Sequence, residues 1–102
     1  MELEVQPWPE AQPPSEQALR AQLAAEGLRG TVWSSGPGDV YAAHSHSYRK
    51  VICVLRGSIT FGLPEKGRRF ELKAGDRLDL PAGVRHAAHV GPQGVACFEA
   101  HR

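Results

Sequence analysis

At 102 residues the chain has room for one domain with a single apolar core. Its 12 Lys and Arg residues against 11 Asp and Glu give a formal net charge of +1 with histidine neutral. This balance argues against a nucleic-acid-binding protein, because there is no basic surplus to neutralise phosphates. No apolar run approaches the roughly eighteen residues of a membrane span, and no basic segment leads into an apolar stretch at the N-terminus. We therefore expect a cytoplasmic protein that binds neither nucleic acid nor membranes.

The two cysteines, Cys53 and Cys97, show neither CxxC spacing nor a zinc-finger pattern with a nearby histidine. In a reducing compartment they are most simply buried, small apolar residues. The sequence alone leaves a disulfide between them open.

Residues 1–30 are predicted to form an arm and a helix that pack on a domain covering 31–102. Alternation over residues 2–5 favours a short edge strand, and four prolines then enforce an extended arm in which Trp8 is either a pin or a solvated ring. Ser15 is a typical N-cap, and Gly27 suits the left-handed residue after a helix end. Between them, Leu19 and Leu23 share one face of the only predicted helix.

From residue 30 onward, short β-type runs alternate with Gly and Pro, which predicts an all-β barrel or sandwich of six to nine strands. A reverse turn over 64–67 joins two of these strands as a hairpin. The predicted strands are 31–35, 39–44, 46–56, 58–63, 68–73, 76–80, 86–91 and 94–100.

The spacing His44-Ser45-His46 is the first indication of chemistry. On a strand, side chains two residues apart share a face, so both imidazoles can converge on one point. A turn rich in Pro and Gly over 81–85 then leads to His86, which can supply a third imidazole. An isolated HxH pair is a weak signal, since two exposed histidines in a loop would give the same pattern. Neutral imidazoles are common ligands of divalent transition metals.

The spacing of the surrounding residues strengthens this interpretation. One stretch reads Gly38-x5-His44-x-His46-x3-Lys50-x6-Gly57, and it resembles the first cupin motif, G-x5-H-x-H-x3,4-E-x6-G. The other reads Gly75-x5-Pro81-x-Gly83-x2-His86, and it resembles the second motif, G-x5-P-x-G-x2-H-x3-N. The two stretches span 38–90, about half of the chain.

The resemblance to cupins implies a double-stranded β-helix, a jelly-roll-like barrel, here with an N-terminal arm and one short α-helix. It also implies a divalent metal, such as Fe, Mn, Ni or Zn, held inside one end of the barrel by His44, His46 and His86. Three histidines without a carboxylate resemble the iron centres of thiol dioxygenases, which are also cupins.

Two residues depart from the family pattern: Lys50 replaces the usual glutamate ligand, and Val90 replaces the closing asparagine. By strand parity Lys50 faces the histidines, where its ammonium and a divalent ion would repel each other strongly. Three outcomes remain open. Lys50 is neutral and near the metal or acts as a base, it turns away to a carboxylate such as Glu99 or Asp79, or the metal is absent.

Other residues near the predicted pocket carry weaker expectations. Tyr48 shares the inward parity and, with Lys50, is a candidate catalytic residue, although packing in the wall is the simpler explanation for it. Arg85 could meet an anionic substrate but is more simply exposed, and His89 should face outward. His101 is expected in a frayed tail. Cys53 should point away from the histidines.

Two functions follow as hypotheses. The first is a metal-dependent enzyme, dioxygenase- or isomerase-like, that acts on a small molecule at open metal positions. The second is a non-catalytic cupin that binds or senses a small ligand, with a structural or absent metal. Because residues 51–55 are apolar on both strand faces, the sequence also predicts a homodimer packed through the outer sheet.

Overall fold

The structure, a computed structural model, describes residues 3–101. Within that range the chain forms one helix and seven strands. No helix in these residues is both long and apolar enough to cross a membrane. The elements are β1 (Val5–Gln6), α1 (Glu16–Ala25), β2 (Gly30–Ser35), β3 (Val40–His44), β4 (Lys50–Leu63), β5 (Arg68–Lys73), β6 (Arg77–Leu80) and β7 (His86–His101).

The strands form one branched antiparallel sheet that is organised around the two longest strands, β4 and β7. Its main order is β1-β6-β4-β7-β2, while β3 pairs with β7 and β5 pairs with β4. The first half of β4 pairs with β6 and its second half with β5. The second half of β7 pairs with β2 and its first half with β3. The two long strands therefore connect both halves of the barrel.

Both long strands bend where the sequence suggested a break. The predicted strands 46–56 and 58–63 are a single strand that begins only at Lys50, and 86–91 and 94–100 also merge into one. Gly57 and Gly94 have positive φ angles of 76° and 79° at the bends, and the pairing of β4 with β7 shifts register there without ending. The predicted separate strands were wrong, because the two bends stay paired with each other.

Two apolar clusters lie on opposite faces of β4 and β7. The cluster inside the barrel includes Ile52, Val54 and Cys97. The outer cluster includes Val51, Cys53 and the helix residues Leu19 and Leu23, and each of these side chains is nearly fully buried. A strand that is buried on both faces has apolar residues at successive positions, which explains the apolar runs in the sequence. Here α1 covers the outer face, so the burial that suggested a homodimer is already provided within one chain.

The helix begins and ends where the sequence predicts. The Ser15 hydroxyl accepts a hydrogen bond from the Ala18 amide at 3.0 Å, which stabilises the first turn. Gly27, at φ +77°, lies beyond the last turn, and the Leu28 amide donates to the Leu23 carbonyl at 2.9 Å. Leu19 and Leu23 are both buried against the sheet. Packing therefore supplies the stability that a ten-residue helix lacks alone.

Trp8 pins the N-terminal arm to the sheet, as one of the two interpretations of the sequence predicted. Its amide donates to Asp76 Oδ1 at 3.1 Å, and its indole donates to the Gln12 carbonyl at 2.7 Å. The ring lies so close to Gly75 that a Cβ there would collide with it. The predicted edge strand at 2–5 overlaps the observed strand, Val5–Gln6, only at Val5, and Glu2 lies outside the described residues.

Candidate metal centre

His44 ends β3, and His86 begins β7 directly opposite it, since the two residues are paired in the register of these strands. Their ring centroids are 4.5 Å apart. His86 is only 2% exposed, while His44 is open to solvent. Strand pairing therefore brings His44 and His86 together, although they are 42 positions apart in the chain.

His46 reaches the same point from a loop. The sequence predicted that it lies on a strand with Lys50, but residues 45–49 are not in a strand. The loop is held instead by the turn before β7, because the Gly83 amide donates to the His46 carbonyl at 2.8 Å. Gly83 has a φ of +81°, which favours glycine at this bend. The His46 ring centroid lies 4.7 Å from that of His44 and 5.3 Å from that of His86.

The three imidazoles are arranged as a metal-binding set. One ligand atom from each lies within 4.8 Å of the others. His44 Nδ1 lies 2.7 Å from the Ala42 carbonyl, and His86 Nδ1 lies 3.0 Å from the Val84 carbonyl. Because a carbonyl only accepts, each Nδ1 carries a proton, and in the neutral ring each Nε2 then keeps a free lone pair. Backbone acceptors of this kind orient metal-binding histidines, so the residues present fit a divalent metal.

The electrostatic environment keeps two of these rings neutral. Burial lowers the pKa of His46, and the neighbouring Lys50 and His44 lower it further, while Glu99 acts against them. Burial also lowers the pKa of His86, although its bond to Val84 raises it in part. The neutral imidazole is the form that binds a metal.

Lys50 lies at the edge of the histidine set and pairs with Glu99. Its Nζ is 3.3 Å from Glu99 Oε1 and 3.3 Å from His46 Nε2. The two partners of this ion pair are 14% and 16% exposed. An ammonium only donates hydrogen bonds, so His46 Nε2 accepts from it. Of the two carboxylates that the sequence offered, the structure selects Glu99, and Asp79 pairs with Arg77 instead.

Glu99 is the centre of a network that the sequence analysis recognised only in part. The Trp33 indole donates to Glu99 Oε1 at 3.1 Å, and His101 Nε2 lies 3.2 Å from Oε2. His101 was expected in a frayed tail, which was wrong, because β7 continues to that residue. Its ring centroid is 4.2 Å from that of Tyr48. Strand parity was the signal in the sequence that could have placed His101 beside Glu99, since Cys97, Glu99 and His101 lie on one face of a strand.

Tyr48 lies beside the site rather than in its cavity. Its ring stacks on His46, with centroids 5.0 Å apart and an interplanar angle of 23°. Together with the contact to His101, this stacking holds the phenol ring between the rings of His46 and His101, at the side of the histidine set. Of the two candidate catalytic residues, only Lys50 lines the adjacent cavity.

A cavity of about 430 Å³ lies next to the histidines, inside the barrel. Its polar end is formed by His44, His86, Lys50 and Glu99, and most of its other walls are apolar. Trp33 and Tyr41 line it near the polar end, where the Trp33 indole reaches Glu99. A larger groove of about 830 Å³ lies along β3, β7 and the β4–β5 hairpin. That groove contains none of the three histidines, so the smaller cavity is the better candidate site. Its deeper apolar residues are Ile52, Ile59, Phe61 and Ala88.

The remaining residues of interest lie outside the cavity. His89 is exposed, in agreement with its predicted outward orientation, and Arg85 is exposed as well. Cys53 lies under the helix, on the sheet face opposite the histidines. Both cysteines are free, and burial raises the pKa of Cys53 to about 11 and that of Cys97 to about 12. Neither thiol is therefore an active nucleophile at neutral pH.

A family model described as the cupin domain matches residues 31–97. The chain belongs to the cupin family. The match contains all three histidines and Lys50, and it confirms the family that the two motifs indicated. No curated protein sequence matches this cupin.

Solved structures show the same fold. A DUF861-family protein from Thermotoga maritima superposes with a TM-score of 0.69 at 17% identity, covering 99% of this cupin and all 100% of that chain. A structure reported with the DMSP lyases RdDddP and RnDddQII gives a TM-score of 0.66 at 28% identity, over 74% of this cupin and 38% of that chain. The polyketide cyclase RemF from Streptomyces resistomycificus gives 0.63 at 29% identity, over 72% and 54%. This cupin therefore spans only part of both enzyme structures.

Proposed function

We propose that this cupin is a metal-dependent enzyme in which His44, His46 and His86 bind one divalent metal beside a small-molecule cavity. The observation that carries the proposal is the orientation of His44 and His86. Carbonyl acceptors hold their Nδ1 atoms, which leaves the Nε2 lone pairs free beside the cavity. Three imidazoles suit Fe(II), Mn(II), Ni(II) or Zn(II). Such a metal supplies Lewis acidity and open positions for substrate.

The neighbouring structures support an activity on small molecules. Two of them, named as a DMSP lyase and a polyketide cyclase, are between 28% and 29% identical to this chain. One barrel shape supports many reactions, so these names indicate the type of ligand rather than a particular reaction. The cavity of about 430 Å³ has a size suited to a small substrate.

Within this proposal Lys50 is the residue best placed to act on a substrate. It lines the cavity and holds a position fixed by Glu99. A lysine fixed in this way can bind an oxygen of the substrate or transfer a proton to it. Tyr48 is the weaker candidate because its ring is stacked between His46 and His101.

A second function is favoured by one specific contact. The hydrogen bond from Lys50 to His46 Nε2 engages the lone pair that a metal bound at this atom would need. A cupin that uses its barrel to bind or sense a small ligand, without metal catalysis, would retain this contact. The experiment below distinguishes the two functions.

The metal content of protein purified without chelators tests the proposal. We expect close to one equivalent of a transition metal in the wild type and in His89→Ala, whose ring is exposed outside the cavity. His46→Ala and His86→Ala should lose the metal, since each removes one of only three ligands. Equal metal in the wild type and in both ligand variants would overturn the proposal.

Substitution with Co(II) separates an enzyme site from a structural one. A site with open positions should bind azide and change its visible spectrum, whereas a site closed by four protein ligands should not respond. An unchanged spectrum would favour the ligand-binding alternative with a structural metal.

A further inference from the structure

The charge of the polar end of the cavity indicates what kind of molecule it binds. The histidines that form it would bind a metal as neutral imidazoles, and Lys50 and Glu99 cancel each other as an ion pair. In the part of the chain that the structure describes, Glu99 is the only carboxylate lining this cavity. A divalent metal on the histidines would therefore leave a charge of +2 that no side chain of the lining offsets. Uncompensated charge in a partly buried site favours an anionic ligand.

Lys50 has the geometry to bind that anion. An ammonium has three donors, and two of them are directed to Glu99 and His46. The third is available on a side chain that lines the cavity and is only 14% exposed. Lys50 and a metal would repel each other, and an anion in contact with both would offset that repulsion. A metal and an anion should therefore strengthen each other's binding.

The rest of the cavity suits an apolar body. Ile52, Ile59 and Phe61 are almost completely buried and form its inner wall. Near the polar end Trp33 and Tyr41 make an edge-to-face contact with ring centroids 6.4 Å apart. At about 30 Å³ per water, the cavity of about 430 Å³ holds the equivalent of roughly 14 waters, which fits a ligand of about 10–14 heavy atoms.

We infer that the cavity binds a small organic anion, an apolar carboxylate, and that Lys50 contacts its charged group. This inference rests on the proposed function for the metal, while the contribution of Lys50 can be measured without a metal. Arg85 is the other cation that the sequence suggested for an anionic substrate, but it is exposed and does not line the cavity.

Three probes with the same phenyl group and different charge test the inference: phenylacetate, phenylacetamide and 2-phenylethylamine. Their binding is measured by calorimetry to Zn(II)-treated and to chelator-treated protein. We expect phenylacetate to bind the Zn(II)-treated protein at least about tenfold more tightly than phenylacetamide, and the amine to bind most weakly. Phenylacetate should also raise the affinity for Zn(II) by the same factor by which Zn(II) raises the affinity for phenylacetate.

The double variant Lys50→Gln/Glu99→Gln isolates the direct contact. It removes both charges of the pair, so the net charge of the cavity is unchanged and no buried charge is left alone. We expect phenylacetate to lose about tenfold in affinity and phenylacetamide to be unaffected. Arg85→Gln and Lys73→Gln are the matched controls, since both residues are exposed and neither lines the cavity. Both controls should bind phenylacetate as the wild type does.

The outcomes separate this inference from the proposed function. Equal binding of phenylacetate and phenylacetamide to the wild type, or unchanged binding of phenylacetate to the double variant, overturns the anion inference even if Zn(II) binds. Failure of Zn(II) to bind overturns the proposed function. A loss of phenylacetate binding in the chelator-treated double variant would still support the contact with Lys50.

Discussion

Lys50 and a metal compete for the same lone pair. The ammonium donates to His46 Nε2 at 3.3 Å, and a metal that binds at Nε2 would need the same lone pair. In addition, a single charge about 5 Å from a divalent ion is repelled by roughly 6–7 kcal/mol at an effective dielectric near 20. The pair with Glu99 offsets part of this repulsion and offers the ammonium another acceptor. We therefore expect Lys50 to lower the affinity of the histidines for a metal without being a ligand itself.

Lys50→Gln should raise the affinity for Zn(II) by at least about tenfold, equivalent to about 1.4 kcal/mol. The substitution removes the repulsion and frees His46 Nε2, and it also leaves the negative charge of Glu99 beside the site. A competition titration with a zinc indicator, in buffer without carboxylates, measures the change.

Lys73→Gln is the control for this prediction, because its lysine is exposed and paired with Glu71 at 3.8 Å. An affinity that is unchanged in Lys50→Gln would mean that the ammonium lies away from the metal when the metal is bound.

The site residues that the sequence identified are those with local spacing. His44 and His46 are two residues apart, and His86 follows a recognisable turn, so motif spacing was sufficient to predict that the three histidines lie together. Trp33 and His101 join the site only through the register of β2 and β7 with their neighbours. A penultimate histidine has no local signal for a place on a strand beside the site, and the indole bond to Glu99 links residues 66 positions apart. Such contacts depend on long-range pairing, which the sequence does not display.

At the scale of elements, the bends of β4 and β7 decide the shape of the barrel. Glycine in a sequence pattern is typical of a turn, and for this reason the sequence predicted four strands where the structure has two. The strands continue because their bends lie against each other, with Gly57 so close to Gly94 that no side chain fits between them. By contrast, the turn at 64–67 and the limits of β3 and β5 were confirmed within one residue. In those cases the residues of the turn itself determine where the strands end, so the local sequence was sufficient to predict the limits.

Gly57→Ala should lower the free energy of unfolding by about 2–5 kcal/mol. The left-handed backbone at φ +76° costs about 1–2 kcal/mol for a residue with a Cβ, and the collision with the Gly94 carbonyl adds the cost of overpacking, about 1–3 kcal/mol. Urea denaturation followed by circular dichroism measures the loss.

Gly67→Ala is the matched control for the substitution at Gly57. Its φ is +61°, yet no atom lies within 4 Å of the position of a Cβ. This variant should therefore lose only the backbone cost, about 1–2 kcal/mol. Equal losses in the two variants would show that the bends of β4 and β7 are able to separate.

At the scale of the whole molecule, α1 provides an explanation within one chain for the apolar runs of β4. The sequence predicted a homodimer because β4 is apolar on both faces, but Leu19 and Leu23 cover the outer face within one chain. Arg77 fixes the helix there, since its guanidinium bonds Glu26 at 2.6 Å and 2.9 Å and also Asp79. The homodimer stays a prediction, which light scattering after size exclusion would decide, and its interface would have to use another surface.

The candidate metal ligands come from parts of the chain that are joined only in the folded protein. His44 closes β3, His46 lies in the following loop and His86 opens β7, so the unfolded chain does not present them together. A ligand that binds only the folded state stabilises it by about 2.7 kcal/mol at a free concentration 100 times its dissociation constant. In a domain of about 100 residues each kcal/mol raises Tm by about 4–8 °C.

Zn(II) at a free concentration 100 times its dissociation constant should therefore raise Tm by about 10–20 °C in scanning calorimetry, relative to protein with chelator. His89→Ala should keep the full shift, while His46→Ala, which lacks one ligand, should lose most of it at the same Zn(II) concentration. An equal shift in His46→Ala would place the bound Zn(II) elsewhere on the molecule.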